Sequence, residues 1–216
     1  MTVFDEQDRD ALYRIIAARR DMRHFRPDPV DPEALRRVLE AAHAAPSVGY
    51  MQPWRFIRIT DAALREQLYQ HVAAEQRHTA AACGTRAADV QRLKLEGIRD
   101  CGELIAVALC ADRARYVLGR RTMPEMDLCS AACAIQNMWL SARAENLGMG
   151  WVSLFDPAVV GELLAMPGDA RAIALLCIGH VPAFYDEPML EREGWDTRRA
   201  LDALISDNAW PEANTQ

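Results

Sequence analysis

The spacing of apolar residues along the chain predicts a series of helices. Helical spacing covers 5–19, 31–45, 61–81, 126–147 and 156–165. Asp31 followed by Pro32 is typical of a helix start, and Pro46 ends the second helix. The 126–147 helix is the longest, and its apolar character indicates that a partner subunit covers part of it. Residues 86–99 read as irregular helix or a mobile loop.

Four segments have the apolar pattern of strands. Residues 54–60 and 148–155 are strand-like, whereas 102–112 and 171–180 are continuously apolar, as expected for strands covered on both faces. Strands that alternate with helices indicate a layered domain of the α/β or α+β class. No repeat or linker divides the chain, so we expect one domain over 1–216 with a C-terminal arm at about 182–216.

Charge and hydropathy exclude two broad classes. The 216 residues carry 25 Lys and Arg against 31 Asp and Glu, a net charge of −6, which argues against a general nucleic-acid binder. The longest apolar run, Leu104 to Ala111, is far shorter than the roughly 20 residues that cross a bilayer. The acidic N-terminal residues do not resemble a signal peptide, so we expect a cytoplasmic protein without membrane partners.

Cysteine and histidine spacing gives no sign of a metal site. The six cysteines form no CxxC pair, and the five histidines form no HExxH motif, so no metal is expected. Neither GxGxxG nor GxxxxGK[ST] occurs, so the chain lacks both common phosphate-binding loops.

The most informative local motif is RRDMR at the end of the first helix. Arg19, Arg20 and Arg23 place three guanidinium groups around Asp21. Guanidinium forks match phosphate oxygens, so a phosphate monoester suits this cluster. The alternative is that these arginines only interact with the negative end of the helix dipole at the C-terminus, which stabilises the helix by roughly 0.3–1 kcal/mol for each.

Two other segments add donors for a ligand. In PSVGYMQPW, Ser47 and Gly49 allow close backbone approach, and the amide of Gln52 can both donate to and accept from a planar heterocycle. Far downstream, GWDTRRAL supplies Arg198 and Arg199. Taken singly, each feature is more often a turn or a solvated charge.

Together these motifs resemble a known family. The sequences RRDMRHF, APSVGYMQPW, LKLEGI and MDLCSAACAIQNMWLSARAENLGMGWVSLF occur in that order, followed by GW and an arginine. They are similar to the flavin-consuming branch of the nitroreductase superfamily, the 5,6-dimethylbenzimidazole synthases. The likeness covers nearly the whole chain. An ordinary nitroreductase usually has Ser where Asp21 stands and differs from GWVS.

The resemblance implies an α+β fold with a central mixed sheet flanked by helices, and a homodimer that binds FMN at its interface without metal. It implies that Arg19 and Arg20 hold the phosphate and ribityl end, while Arg23 contacts the pyrimidine edge. The remaining residues carried over are Ser47, Gly49, Met51 and Gln52 along the ring system, Leu95 over the ring, and Arg198 on the phosphate, with Arg199 the weaker candidate.

The resemblance also implies the reaction: reduced FMN is consumed with O2, giving 5,6-dimethylbenzimidazole, the lower ligand of vitamin B12, and erythrose 4-phosphate. A separate flavin reductase would supply the reduced FMN. The ring rearrangement needs a base that removes a proton from the ribityl carbon next to the ring. We expect Asp21 to be that base, ionised because its arginine neighbours lower its pKa. The alternative is a salt bridge that only positions Arg20 or Arg23.

Ser153 in GWVS is the second candidate catalytic residue, through a hydrogen bond near the reactive edge of the flavin; alternatively, it is a strand-end serine bonded to backbone. Leu95, Met51, Trp54 and 86–99 either form a water-excluding lid or belong to the core. Two rival functions remain open. One is an FMN-dependent NAD(P)H oxidoreductase that keeps its flavin, and the other is a non-catalytic flavin carrier or redox sensor.

Overall fold

The computed structural model describes residues 3–210. The chain divides into two compact units, one ending at Phe184 and the other beginning at Tyr185. The expected arm, 182–216, overlaps the second unit, and its last six residues lie outside the described residues. The assignment of the whole chain to one domain stays a prediction.

The first unit contains seven α-helices among the described residues and the second unit one. The bounds are α1 (Glu6–Ala18), α2 (Pro32–His43), α3 (Ala62–Ala82), α4 (Ala87–Arg92), α5 (Gly97–Asp100), α6 (Met126–Ala144), α7 (Pro157–Leu163) and, in the second unit, α8 (Met189–Arg192). Asp5, Asp31, Asp61 and Asp156 cap α1, α2, α3 and α7 by accepting backbone N–H bonds. The predicted helix starts are therefore confirmed, and 86–99 is irregular helix.

Within residues 3–210, four strands form one sheet with the order β1-β2-β4-β3. The strands are β1 (Trp54–Ile59), β2 (Glu103–Leu109), β3 (Gly148–Val152) and β4 (Arg171–Gly179). Every neighbouring pair is antiparallel, with Phe56 opposite Val107 and Gly150 opposite Cys177. The resemblance implied a mixed sheet, whereas the four strands are all antiparallel to their neighbours. The parallel component of the sheet within 3–210 is an isolated bridge from Asp21 to Met149, because a short segment after α1 runs beside the edge strand β3.

The sheet separates two apolar clusters. Ile105 and Val107 of β2 pack on the side of α2 and α6, whereas Leu104 and Ala106 pack on the side of α3, α5 and α7. Successive residues of a strand point to opposite faces. All seven residues of β2 are buried, so the prediction of a strand covered on both faces is confirmed.

The apolar residues of the first helix are largely exposed. No residue of α1 is buried, and Leu12, Tyr13 and Ile16 are exposed. The start of α6 likewise exposes Leu128 and Cys129. Within 3–210, no helix is long and apolar enough to cross a membrane.

Candidate functional site

The segment that follows α1 is fixed to the edge of the sheet. Met22 N donates to Met149 O at 3.0 Å. A glycine at position 150 permits this approach, because a Cβ there would lie 2.2 Å from the carbonyl oxygen of Met22. The indole Nε1 of Trp139 on α6 donates to the carbonyls of Arg20 and Met149, both at 3.0 Å. The backbone at Asp21 is therefore held from two elements.

Asp21 is bound on both carboxylate oxygens. Its Oδ1 accepts the backbone N–H of Trp151 at 3.0 Å, and its Oδ2 accepts from Nη2 of Arg23. The same Nη2 donates to the carbonyl of Trp151 at 3.2 Å. Asp21, Arg23 and the β3 backbone thus form one hydrogen-bonded unit, with 34% of the Asp21 side chain still exposed.

The electrostatics of Asp21 differ from the expectation. Burial raises the pKa of its carboxyl above the ordinary value and outweighs the charge of Arg23, the bonds from Trp151 and Arg23, and the charge of Arg19. The arginines do lower this pKa, but the expectation that their charges outweigh burial is wrong, because the loss of hydration disfavours the charged form by more than the arginines stabilise it. A raised pKa makes the ionised carboxylate a stronger base.

A pH-dependent stability difference follows from this shift. The folded chain binds the proton of Asp21 more tightly than the unfolded chain does. Proton binding by Asp21 therefore stabilises the fold fully below the unfolded pKa, about 3.9, and this stabilisation is lost as pH rises through the folded pKa. Asp21→Asn cannot ionise, and we expect it to be more stable than the parent chain at neutral pH. The difference shrinks on acidification.

Urea unfolding at neutral pH and near the ordinary aspartate pKa measures this difference. Asp28→Asn is the control, because Asp28 pairs with Arg26 on the same segment but is half exposed. If Asp21→Asn is the less stable form at neutral pH, the ion pair to Arg23 dominates over burial.

The other two arginines have distinct contacts. Nη1 of Arg20 donates to the carbonyls of Ala17, at 2.7 Å, and Arg19, at 2.8 Å, as the helix-terminus alternative expected. The guanidinium of Arg19 lies 4.9 Å from the ring centroid of Trp139. Arg19 still acts electrostatically on Asp21. Arg19, Arg20 and Arg23 therefore lie close together in the chain, but each guanidinium is held by a different partner.

The 47–52 loop holds an uncommon backbone conformation. Gly49, Tyr50 and Gln52 have φ values of 53°, 54° and 46°. Positive φ in Tyr and Gln costs energy and persists only where surrounding contacts impose it. Ser47 Oγ accepts from Gln52 N at 3.1 Å, and Ser130 Oγ on α6 accepts from Val48 N at 3.0 Å. Such strain concentrates at functional sites.

The remaining predicted residues lie in three different environments. Leu95 is buried in the core and lines a small cavity with Arg23 and Gly150, and Met51 and Trp54 are also buried. Ser153 is exposed immediately after β3. Arg198 and Arg199 are exposed in the second unit, and their roles stay predictions.

Sequence reasoning missed several residues that build the site. Trp139 and Ser130 fall in the predicted 126–147 helix and Trp151 in the predicted 148–155 strand, and no polar role was assigned to them. Their polar contacts reach residues up to 130 positions away. Gly150 gave the one available signal, since a glycine within a strand often marks close backbone approach.

The arrangement fits a phosphorylated planar ligand. Arg19, Arg23 and the carboxylate of Asp21 lie together beside β3, where charged donors can bind a phosphate. The strained 47–52 loop offers backbone groups of its own, and no contact joins it to this cluster among the described residues. The nitroreductase family model matches residues 16–180. The chain therefore belongs to the nitroreductase family.

Relatives refine this assignment. Proteins named 5,6-dimethylbenzimidazole synthase from Rhodospirillum rubrum and Rhodobacter capsulatus are 42% and 45% identical to the chain, over 91% and 89% of it and 94% of each relative. They confirm the predicted resemblance to that branch. An iodotyrosine deiodinase structure, bound to FMN and 3-iodo-L-tyrosine, superposes with a TM-score of 0.74 at 20% identity, over 92% of this chain and 100% of that one. This likeness confirms the fold.

Proposed function

We propose that the chain is a 5,6-dimethylbenzimidazole synthase, which consumes reduced FMN with O2 and releases 5,6-dimethylbenzimidazole and erythrose 4-phosphate. The observation that carries the proposal is the identity of more than 40% with synthases over about nine tenths of the chain. The sequence at the site agrees with this proposal, since Asp21 stands in the RRD motif and GWVS follows α6.

The residues divide into a phosphate side and a ring side. Arg19 and Arg20 are proposed to hold the phosphate and ribityl end, with Arg198 as a further phosphate contact. Arg23 is proposed to contact the pyrimidine edge, and its guanidinium is held by Asp21 and by the carbonyl of Trp151. The ring side is proposed to comprise Ser47, Gly49, Met51, Gln52 and Leu95. Bound reduced FMN supplies the electrons and the carbon skeleton.

Asp21 is proposed to accept the proton from the ribityl carbon. One oxygen, Oδ1, is held by Trp151 N–H, and the other is held by Arg23, so the carboxylate is fixed in direction. Its raised pKa increases its basicity. Burial raises this pKa against the effect of the two contacts, so the ionised carboxylate costs the fold stability. Perturbed pKa values of this kind cluster at functional sites.

The deciding experiment supplies chemically reduced FMN and air to the protein, followed by chromatography for 5,6-dimethylbenzimidazole. The expected result is stoichiometric loss of flavin and appearance of the product. Recovery of intact FMN would contradict the proposal. Flavin-dependent oxidation of NAD(P)H would then indicate the oxidoreductase alternative, whereas stoichiometric binding without turnover would indicate a carrier or sensor.

Ser153 is proposed to hydrogen-bond near the reactive edge of the flavin and to steer the reaction there. Its position two residues beyond Trp151 places it beside the strand end that holds Asp21. Ser153→Ala is expected to lower the yield of product per FMN consumed, with the Kd for FMN changed by less than about threefold. The ratio of product to lost flavin measures this. An unchanged ratio would mean that the hydroxyl of Ser153 only bonds to backbone at the end of the strand and does not act on the flavin.

The proposal includes a homodimer in the cytoplasm, fed by a separate flavin reductase. Exposed Leu12, Tyr13 and Ile16 on α1 and Leu128 on α6 support the dimer, because apolar faces of this kind commonly mark interfaces. Light scattering at micromolar concentration tests it, and a monomeric mass would contradict it.

A further inference from the structure

A second buried ion cluster lies at the start of α6, away from Asp21. Asp127, in the first turn, is 5% exposed. Its Oδ2 lies 3.0 Å from Nε of Arg113 and 3.0 Å from Nη2 of Arg120, and its Oδ1 accepts from Leu128 N at 2.6 Å. Both arginines belong to the segment between β2 and α6. A buried carboxylate thus holds residues 111–125, named here the β2–α6 loop.

Arg120 organises the interior of the β2–α6 loop. Besides Asp127, its guanidinium donates to the carbonyls of Arg113, Tyr116 and Pro124, the last two at 3.1 and 3.2 Å. Its side chain is 11% exposed. Arg113 in turn donates to the carbonyls of Cys110 and Asp169. These charge-assisted bonds tie the irregular segment to itself and to the start of α6.

The β2–α6 loop packs directly on the strained 47–52 loop. A Cβ at Gly49 would lie 3.2 Å from the carbonyl oxygen of Leu118, and a Cβ at Gly119 would lie 2.6 Å from Cγ2 of Val48. Ser130, one turn beyond Asp127 on the same buried face of α6, binds Val48 N. The first turns of α6 therefore fix both loops, one through Asp127 and the other through Ser130.

We propose that Asp127 and Arg120 are positioning residues for FMN: they hold the β2–α6 loop against Val48 and Gly49, and so keep 47–52 in its binding conformation. This inference rests on the proposed function, which assigns 47–52 to the flavin ring. The reason is preorganisation, because a loop with two non-glycine residues at positive φ relaxes when its support is lost. Neither Asp127 nor Arg120 needs to contact the flavin.

The first test compares two arginine replacements. Arg120→Met removes one partner of buried Asp127. The control, Arg58→Met, removes the partner of another buried carboxylate, because Nε of Arg58 donates to Glu103 at 2.6 Å and Glu103 is 7% exposed. Both variants are expected to lower the Tm. The Kd for oxidised FMN, from fluorescence titration, is expected to rise about tenfold in Arg120→Met and to stay within about twofold in Arg58→Met.

The second test uses glycines and does not depend on a buried charge. Gly119→Ala places a methyl group against Val48 at a φ of +75°, whereas Gly84→Ala has a φ of +54° and nothing within 4 Å. The two changes share the backbone strain but not the contact. Gly119→Ala is expected to weaken FMN binding about fivefold more than Gly84→Ala does. This pair decides the question if Arg120→Met does not fold.

Equal effects within either pair, or no loss of FMN affinity in Arg120→Met, would overturn the inference. Gln52→Ala separates that failure from failure of the proposed site. If Gln52→Ala weakens FMN binding while Gly119→Ala does not, the positioning role alone is wrong. If Gln52→Ala binds FMN as tightly as the parent chain, 47–52 does not contact the flavin and the proposed site is wrong. Oxidised FMN is used so that binding is measured without turnover.

Discussion

Asp21→Asn is expected to abolish formation of 5,6-dimethylbenzimidazole while FMN binding is retained. The amide keeps the shape of the carboxylate and can still accept the Trp151 N–H, but it cannot take a proton. Loss of a general base typically costs about 10²–10⁴-fold in rate. The measurements are product formation from reduced FMN in air and the Kd for oxidised FMN.

Two variants show whether Asp21 acts as a base or only orients Arg23. Asp28→Asn makes the same chemical change on an exposed aspartate paired with Arg26, and it should leave the rate unchanged. Arg23→Met removes the partner of Asp21 and leaves the carboxylate held by Trp151. If the Asp21→Asn and Arg23→Met variants lose the same activity with the same change in FMN affinity, the carboxylate serves Arg23 and the proposed base is wrong.

Gly150→Ala is expected to displace the segment that carries Asp21. Its Cβ would lie 2.2 Å from the Met22 carbonyl oxygen and 3.5 Å from Oδ1 of Asp21, so the backbone of residues 21–23 must move off β3. The resulting overpacking is expected to cost about 1–3 kcal/mol of unfolding free energy. A shift of about 1 Å in the base is expected to lower the rate about 100-fold.

Denaturant unfolding and product formation measure the two effects of Gly150→Ala. Gly161→Ala is the matched control, because Gly161 lies in α7 with nothing within 4 Å of an added Cβ. Alanine is the better helix former, so the control should retain stability and activity. If Gly150→Ala retains full activity, the position of Asp21 does not depend on its close approach to β3.

Helix starts and strands were predictable because they depend on neighbouring residues. Asp31 with Pro32 and Asp156 with Pro157 begin α2 and α7 where the cap pattern indicated. The continuous apolar run of β2 correctly predicted burial on both faces. The helical spacing of α1 was equally regular, yet none of its residues is buried in this chain. Periodicity indicates which face of a helix is apolar but not what covers that face.

The sequence predicted which motifs form the site, but not how their side chains are oriented. The RRDMR motif located Asp21 and its arginines, but their directions differ: Arg20 binds the α1 carbonyls, Arg23 binds Asp21, and Arg19 lies over Trp139. The sign of the Asp21 pKa shift was missed for the same reason. Charges are visible in the sequence, whereas the hydration a group loses depends on what packs around it.

The amino-acid order alone predicted the helices, the strands and the resemblance to a flavin-consuming branch, because caps, periodicity and motifs are encoded over a few consecutive residues. The folded chain decided which groups meet. Trp151 reaches Asp21 across 130 positions and Ser130 reaches Val48 across 82. Contacts at such separations depend on how the sheet edge and α6 pack, and that packing is a property of the whole core.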